Sequence, residues 1–127
     1  MLERLPISQM AGALAAHAAQ RQSTIAQNVA NADTPGYKAK DISPFASLVE
    51  EQGLGLRATR PGHLGVREGL APAESLLRHG EASPNGNDVA LEDEMIASAE
   101  TRASHEMALG IYRSVSTLLR TSLGRTS

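Results

Sequence analysis

Apolar residues recur near the N-terminus at Ile7, Ala11, Leu14, Ala18, Ile25 and Val29. Spacings of three, four and seven put them on one stripe of a helix. Arg21 interrupts the stripe, and Ala13, Ala15, Ala16 and Ala19 broaden it. The pattern predicts a first helix over about residues 8–31, roughly 36 Å long. Pro6 suits its start, and Ser8 is a candidate N-cap. Near the C-terminus the pattern predicts a second long helix over about residues 89–123, with Asn87 or Asp88 as its cap. Glu92, Asp93 and Glu94 lie on its first turns, and Arg113, Arg120 and Arg125 lie toward its end. Both placements suit the helix dipole, and Gly124 is the expected stop. This helix carries two apolar stripes. Leu91, Met95, Ala99, Arg102, Leu109, Tyr112, Leu119 and Leu123 form one, mostly apolar, and Ile96, Ala103, Ile111, Val115 and Leu118 form the other. The N-terminal helix covers one stripe. The other needs the middle segment or another subunit.

Between the helices the pattern changes. Thr34-Pro35-Gly36-Tyr37 fits a type II turn, in which Pro35 presets φ and Gly36 supplies a positive φ. Asn31 suits the left-handed position just past a helix end. Asn28 and Asn31 share a side of the last turn, where their amides meet free carbonyls or a neighbouring chain. Lys38–Ile42 reads as extended, and Ser43-Pro44 precedes a short helix over Phe45–Glu50. Residues 53–86 hold seven of the eleven glycines and three of the six prolines, and read as loops with a short hairpin around 54–59. The expected fold is therefore mainly all-α, with long terminal helices joined by a pliant middle. Its segments are 1–31 (first helix), 32–52 (turn and transition), 53–86 (pliant middle) and 87–127 (second helix).

A chain of 127 residues with one Phe, two Tyr and no Trp lacks the side chains that dominate most cores. Its apolar content is largely Ala, which argues against a sizeable core in the monomer. The other reading is a small Ala-rich hairpin stable alone. Net charge is −2 with both signs mixed, so no clustered basic face for nucleic acid is expected. There is no cysteine, no apolar run of about 20 residues, and the N-terminus does not read as a secretory signal. His17, His63, His79 and His105 lack metal-pair spacing. His17 and His105 would meet only if the helices pack antiparallel. The acidic run at 92–94 reads as a dipole partner, no serine sits in a nucleophile elbow, and no glycine run ends in a phosphate loop. No catalytic residues, cofactor, metal or small-molecule substrate are expected. Thr59 and His63 suit a local loop role. Tyr37 has two open readings: an anchor of the turn onto its own helices, or a contact at a subunit boundary.

Asn28, Asn31, Thr34, Gly36 and Tyr37 match the spacing Asn-x-x-Asn-x-x-Thr-x-Gly-Tyr. In this the chain resembles the bacterial flagellar rod, hook and hook-associated proteins. The longer run Ala32–Asp41 is most similar to a short proximal-rod member of the basal-body rod family. Ala58–Leu64 and Asn85–Met95 agree with it too, although Ala90 replaces a usual acidic residue. The resemblance is weakest from about Gly65 to Pro84. It implies a structural subunit of the proximal rod, with terminal helices packed as a coiled-coil-like pair that lines a tubular axial assembly and the middle facing outward. It further implies helical self-association, torque transmission, and export by the flagellum's own type III apparatus without a cleaved signal. Implied partners are other rod subunits and the rod–rotor adaptor at the base, with membrane contact only indirect. The motif is Asn28, Asn31, Thr34, Pro35, Gly36 and Tyr37. Candidate assembly residues are Ile7, Leu14, Ile25, Met95, Leu109, Ile111, Tyr112, Val115, Leu118, Leu119 and Leu123. Among these, Leu109, Tyr112, Leu119 and Leu123 are expected to line the helix pair, and Ile111, Val115 and Leu118 to face the next chain. The rival reading is an independent helical adaptor or chaperone-like protein of the cytosol, which leaves the motif unexplained.

Overall fold

The computed structural model describes residues 5–52, 72–78 and 80–124. Helix α1 (Pro6–Ala30) has 25 residues, and helix α3 (Leu91–Ser122) has 32. At 1.5 Å per residue these are about 37 Å and about 48 Å long. Between them lie β1 (Lys40–Ile42), α2 (Phe45–Gln52) and β2 (Ser75–Leu77). Asn28 meets Glu94, Gln22 meets Ser98 and Arg21 meets Glu100, so α1 and α3 pack antiparallel. The mainly all-α expectation with a terminal helix pair holds.

The helix ends differ in detail from those expected. Leu5 is the N-cap of α1, in an extended conformation without a side-chain bond, and Pro6 takes the first helical position. Pro tolerates that place because its missing N–H would be orphaned anyway. Ser8 is not the cap. It lies buried in the first turn, its hydroxyl without a partner. Ala90 rather than Asn87 or Asp88 is the N-cap of α3. Asn31 has φ −106°, so the left-handed residue of this turn is Gly36 at +72° instead. The Tyr37 N–H donates to Thr34 O at 3.2 Å, which closes the expected type II turn. Gly124, at φ +101°, follows the last turn of α3 as expected.

The seam between the long helices is made of small residues. From α1 it takes Ala11, Ala18 and Ile25, with Asn28 at one end. From α3 it takes Glu94, Ala97, Thr101, Ala108 and Val115. Both sets follow alternating steps of three and four or multiples of seven, the spacing of a coiled-coil seam. Small side chains let the two backbones approach closely. The α1 stripe is nearly the expected one, but Ser8 and Asn28 replace Ile7 and Val29, which are exposed.

The α3 expectation needs a larger correction. Neither apolar stripe faces α1, because the seam runs between them. Leu109, Tyr112 and Leu123 were expected to line the pair, yet they are exposed. Val115 was expected to face outward, yet it is buried against α1, with Ile111 half-buried beside it. Only Leu119 of the lining set is half-buried. Where α1 offers Ala, close packing selects the small face of α3 and leaves its large residues as flanks.

A second layer covers one side of α1. β1 and β2 pair antiparallel with Lys40 opposite Leu77 and Ile42 opposite Ser75. Ile42, Leu48 and Ala73 form a small apolar cluster. Gln20 holds this layer to α1: its side-chain amide donates to Ala73 O at 2.7 Å and accepts from Ala73 N at 2.9 Å. The His17 ring bonds Ser43 O at 2.7 Å and meets Phe45 edge-on at 5.6 Å. The extended segment and the short helix appear where the pattern placed them. β2 falls in a stretch read as loop. The hairpin expected at 54–59, with Thr59 and His63, lies outside the described residues.

Candidate functional site

The turn after α1 feeds a buried polar clasp at one end of the helix pair. Its centre is Asn28, which is fully buried. Its amide nitrogen donates to Lys40 O at 2.7 Å and to Glu94 Oε1 at 3.1 Å. Its amide oxygen accepts from Lys40 N at 3.0 Å and from the Tyr37 hydroxyl at 3.3 Å. Those four bonds use the full donor and acceptor capacity of an amide side chain. Toward Lys40 the side chain acts as a strand partner, taking both backbone groups at the start of β1. Tyr37 therefore anchors the turn onto α1, the first of its two readings.

Asn31 and Thr34 work more locally. The Asn31 amide donates to Gln27 O at 2.8 Å, satisfying a free carbonyl of the last turn, and accepts from the Thr34 hydroxyl at 3.2 Å. Buried Asn87 then ties the turn to the approach of α3. Its amide donates to Asn31 O and Thr34 O, each at 2.8 Å, and accepts from Val89 N at 2.8 Å. Gly36 N donates to Asn85 O at 3.0 Å. Gly86, at φ +82°, lies so close that a Cβ there would meet Gly36 Cα at 3.4 Å. Two glycine turns thus sit back to back. Asp88, also buried, accepts from Ala39 N and lies 4.0 Å from the Lys38 ammonium.

A chain of charges continues from the clasp. Glu94 Oε1 also accepts from Arg78 Nη1 at 2.8 Å. Arg78 Nη2 reaches Asp41 Oδ2 at 3.0 Å. Arg21 grips the same carboxylate with two nitrogens, at 3.1 Å and 3.2 Å. Burial pushes the Asp41 carboxyl up, but the bonds from Arg21, its own neighbour Ile42 N and Arg78 outweigh this and hold it below the usual carboxylate range. The hydrogen bond that it donates to Asp41 raises the Arg21 guanidinium above its ordinary value, against a smaller opposing effect of burial. Glu94 had been read with Glu92 and Asp93 as a dipole partner. It lies on the first turn of α3 as expected, and is also a fully buried ion-pair member.

The motif residues Asn28, Asn31, Thr34, Gly36 and Tyr37 are thus brought together, with exposed Pro35 shaping the turn. Sequence reasoning missed Arg21, Asp41, Arg78, Asn87 and Asp88 as members. One signal was present: Arg21 stands in phase with an apolar stripe, where a charge implies a partner. The candidate assembly residues divide by exposure. Ile7, Met95, Leu109, Tyr112, Leu118 and Leu123 are exposed, Leu14, Ile111 and Leu119 are half-buried, and Ile25 and Val115 are taken up within the helix pair. Leu14 also lines a cavity of about 270 Å³ with His17, Phe45, Thr101 and Ser104. Arg21 and Asp41 on its wall neutralise each other.

Such an arrangement defines a class. A helix pair pinned at one end by a buried polar network, with large apolar residues exposed along two flanks of α3, is the arrangement of a helical structural protein. The comparisons with known proteins specify it. Residues 10–38, from the first turns of α1 through the motif, match the flagella basal body rod protein family. The chain is 36% identical over 107 residues to flagellar basal body rod protein FlgB of Salmonella typhimurium strain LT2, across 76% of this chain and 77% of that one. It is 32% identical over 100 residues to the FlgB of Agrobacterium fabrum strain C58, across 74% and 75%. With the FlgB of Bacillus subtilis strain 168 it shares 30% over 106 residues, across 78% and 81%. The chain belongs to the FlgB family of flagellar basal body rod proteins, and is a structural component of the basal body rod. The cytosolic adaptor reading finds no support among these relatives.

Proposed function

We propose that this chain is a proximal-rod subunit that joins its neighbours laterally through the two apolar flanks of α3, while the clasp keeps α1 and α3 in register. One observation carries this reading: α3 exposes Leu91, Met95, Leu109, Tyr112 and Leu123 on one side of the seam, and Ile96, Met107 and Leu118 on the other. Different flanks on opposite sides suit heterologous, head-to-tail contacts, which build open helical assemblies rather than closed dimers. Torque then passes through many interdigitated contacts, since a single one contributes only about 1 kcal/mol. The partners under this reading are copies of the chain, other rod subunits and the rod–rotor adaptor at the base. The subunit acts without catalysis, and touches the membrane only through the basal body. Its thin core suits threading through a type III export channel.

The chain has no cysteine, so single cysteines report cleanly. Met95→Cys, Leu109→Cys and Leu118→Cys, placed one at a time, should cross-link this chain to adjacent rod subunits in purified basal bodies. Free, solvent-reactive thiols at all three positions in a chain that is present in the rod would overturn the flank assignment.

A further inference from the structure

We infer that Arg78 is a latch that makes closure of the α1–α3 pair conditional on docking of the β2 arm. The Glu94 side chain is fully buried on the first turn of α3. Among the described residues, Arg78 is the cation that pairs with it. Its second oxygen, Oε2, is buried without a partner among the described residues, and the other group on Glu94 Oε1 there is the neutral amide of Asn28. Arg78 follows directly on β2. Its backbone N–H donates to Ala39 O at 2.8 Å, and its other guanidinium nitrogen holds Asp41 on β1. Asp41 in turn is held by Arg21 of α1. One side chain therefore touches α3 and the ribbon, and through Asp41 reaches α1.

The consequence is energetic coupling. If α3 closed on α1 with the β2 arm undocked, the Glu94 carboxylate would sit beside Asn28 without its cation. Removing one partner of a buried pair is far more damaging than replacing both. The helix pair at this end and the ribbon consequently form in one step. Every chain whose axial helices are in register at this end also has β2 seated on β1.

The test uses the full chain and three variants: Arg78→Met, Glu94→Gln and the pair together. Hydrogen exchange is read at the ribbon amide of Ser43, which bonds Glu74 O, and along the first turns of α3 from Met95 to Ala99. Arg78→Met should speed exchange at both places by roughly tenfold or more, as expected for an uncompensated buried charge. Adding Glu94→Gln should return the α3 amides to within about threefold of wild type, because Gln leaves no charge to compensate. The ribbon should stay loosened, since Asp41 still lacks one of its two arginines. If Arg78→Met abolishes folding, far-UV circular dichroism of the double variant decides. Recovered helix supports the latch, and unrecovered helix overturns it. Wild-type exchange in α3 of Arg78→Met, or no restoration by Glu94→Gln, would show that Arg78 only pins the ribbon.

Discussion

The two ends of the helix pair are held together by different physics. At the clasp, Asn28, Asn87, Asp88 and Glu94 are all buried polar groups. Further along, the seam is Ala11 and Ala18 facing the Ala and Thr face of α3. Directional bonds fix one register, because a slip of a single residue leaves donors and acceptors unmet in a low-dielectric site. Alanine contacts fix a distance but add little free energy, since each removes little apolar area from water. The clasp end is thus complete within one chain. The rest of the pair leaves its large side chains exposed on the flanks of α3.

The largest expected effect follows from breaking the clasp at its centre. Asn28→Ala removes four hydrogen bonds and leaves the Lys40 backbone groups and Glu94 short of partners. The loss should be about 3 kcal/mol or more, read from chemical denaturation of the isolated chain. Asn31→Ala, at a half-buried site with local bonds only, should lose about 1 kcal/mol or less. Equal losses at the two positions would erase the distinction between the long-range and the local amide.

The next effect probes the seam. Ala108 is 1% exposed against α1, while its neighbour Leu109 is 38% exposed. Ala108→Leu should overpack the helix pair and lose about 1–3 kcal/mol. Leu109→Ala should stay within about 0.5 kcal/mol. The reverse order in thermal melts would restore the stripe assignment that follows from residue size alone.

Those neighbours also show what the sequence could and could not convey. The turn was legible because Pro35 fixes φ and Gly36 permits a positive φ, and neither depends on distant residues. The long helices were legible from their period. The seam of α3 was not, because hydrophobic periodicity weights Leu, Ile and Met, whereas an Ala-rich partner selects the small face. The ion pair of Glu94 was missed because a carboxylate on a first turn has a sufficient local explanation, and its partner stands within the middle segment. β2 was invisible for a related reason. Ser75-Leu76-Leu77 has no alternation to detect, and its three residues form a strand only because β1 is held in place by Asn28 and Asp41. Local chemistry reads from sequence. Long-range compensation reads from the fold.

A smaller effect separates the charged rim of the clasp from its amide centre. Asp41 titrates below the usual carboxylate range in the folded chain. A depressed carboxylate stabilises the fold above its unfolded value, about pH 4. That contribution fades as pH falls through the lower folded value. Thermal stability should therefore drop below about pH 4, and Asp41→Asn should flatten that drop while lowering stability at neutral pH. An Asp41→Asn profile as steep as wild type would assign the acid sensitivity to other carboxylates.

The smallest effect on the chain itself carries the sharpest contrast between the two regions. Leu118 is 66% exposed, so Leu118→Asp puts a carboxylate in water, and the isolated chain should change by no more than about 0.5 kcal/mol. Val115 lies three residues earlier and is buried against α1, so Val115→Asp should disrupt the chain itself. In cells the two should converge, since a flank that neighbours cover would bury the new carboxylate of Leu118→Asp unpaired. That variant should be made and exported, because threading does not require the folded pair, yet be missing from purified basal bodies. Counting assembled rods alongside melting the purified chain separates the cases. Normal melting with absent rods marks a surface that matters only between subunits. Normal melting with wild-type rod numbers would mean that Leu118 stays in solvent after assembly, and the flank that it shares with Ile96 and Met107 would no longer stand as an interface.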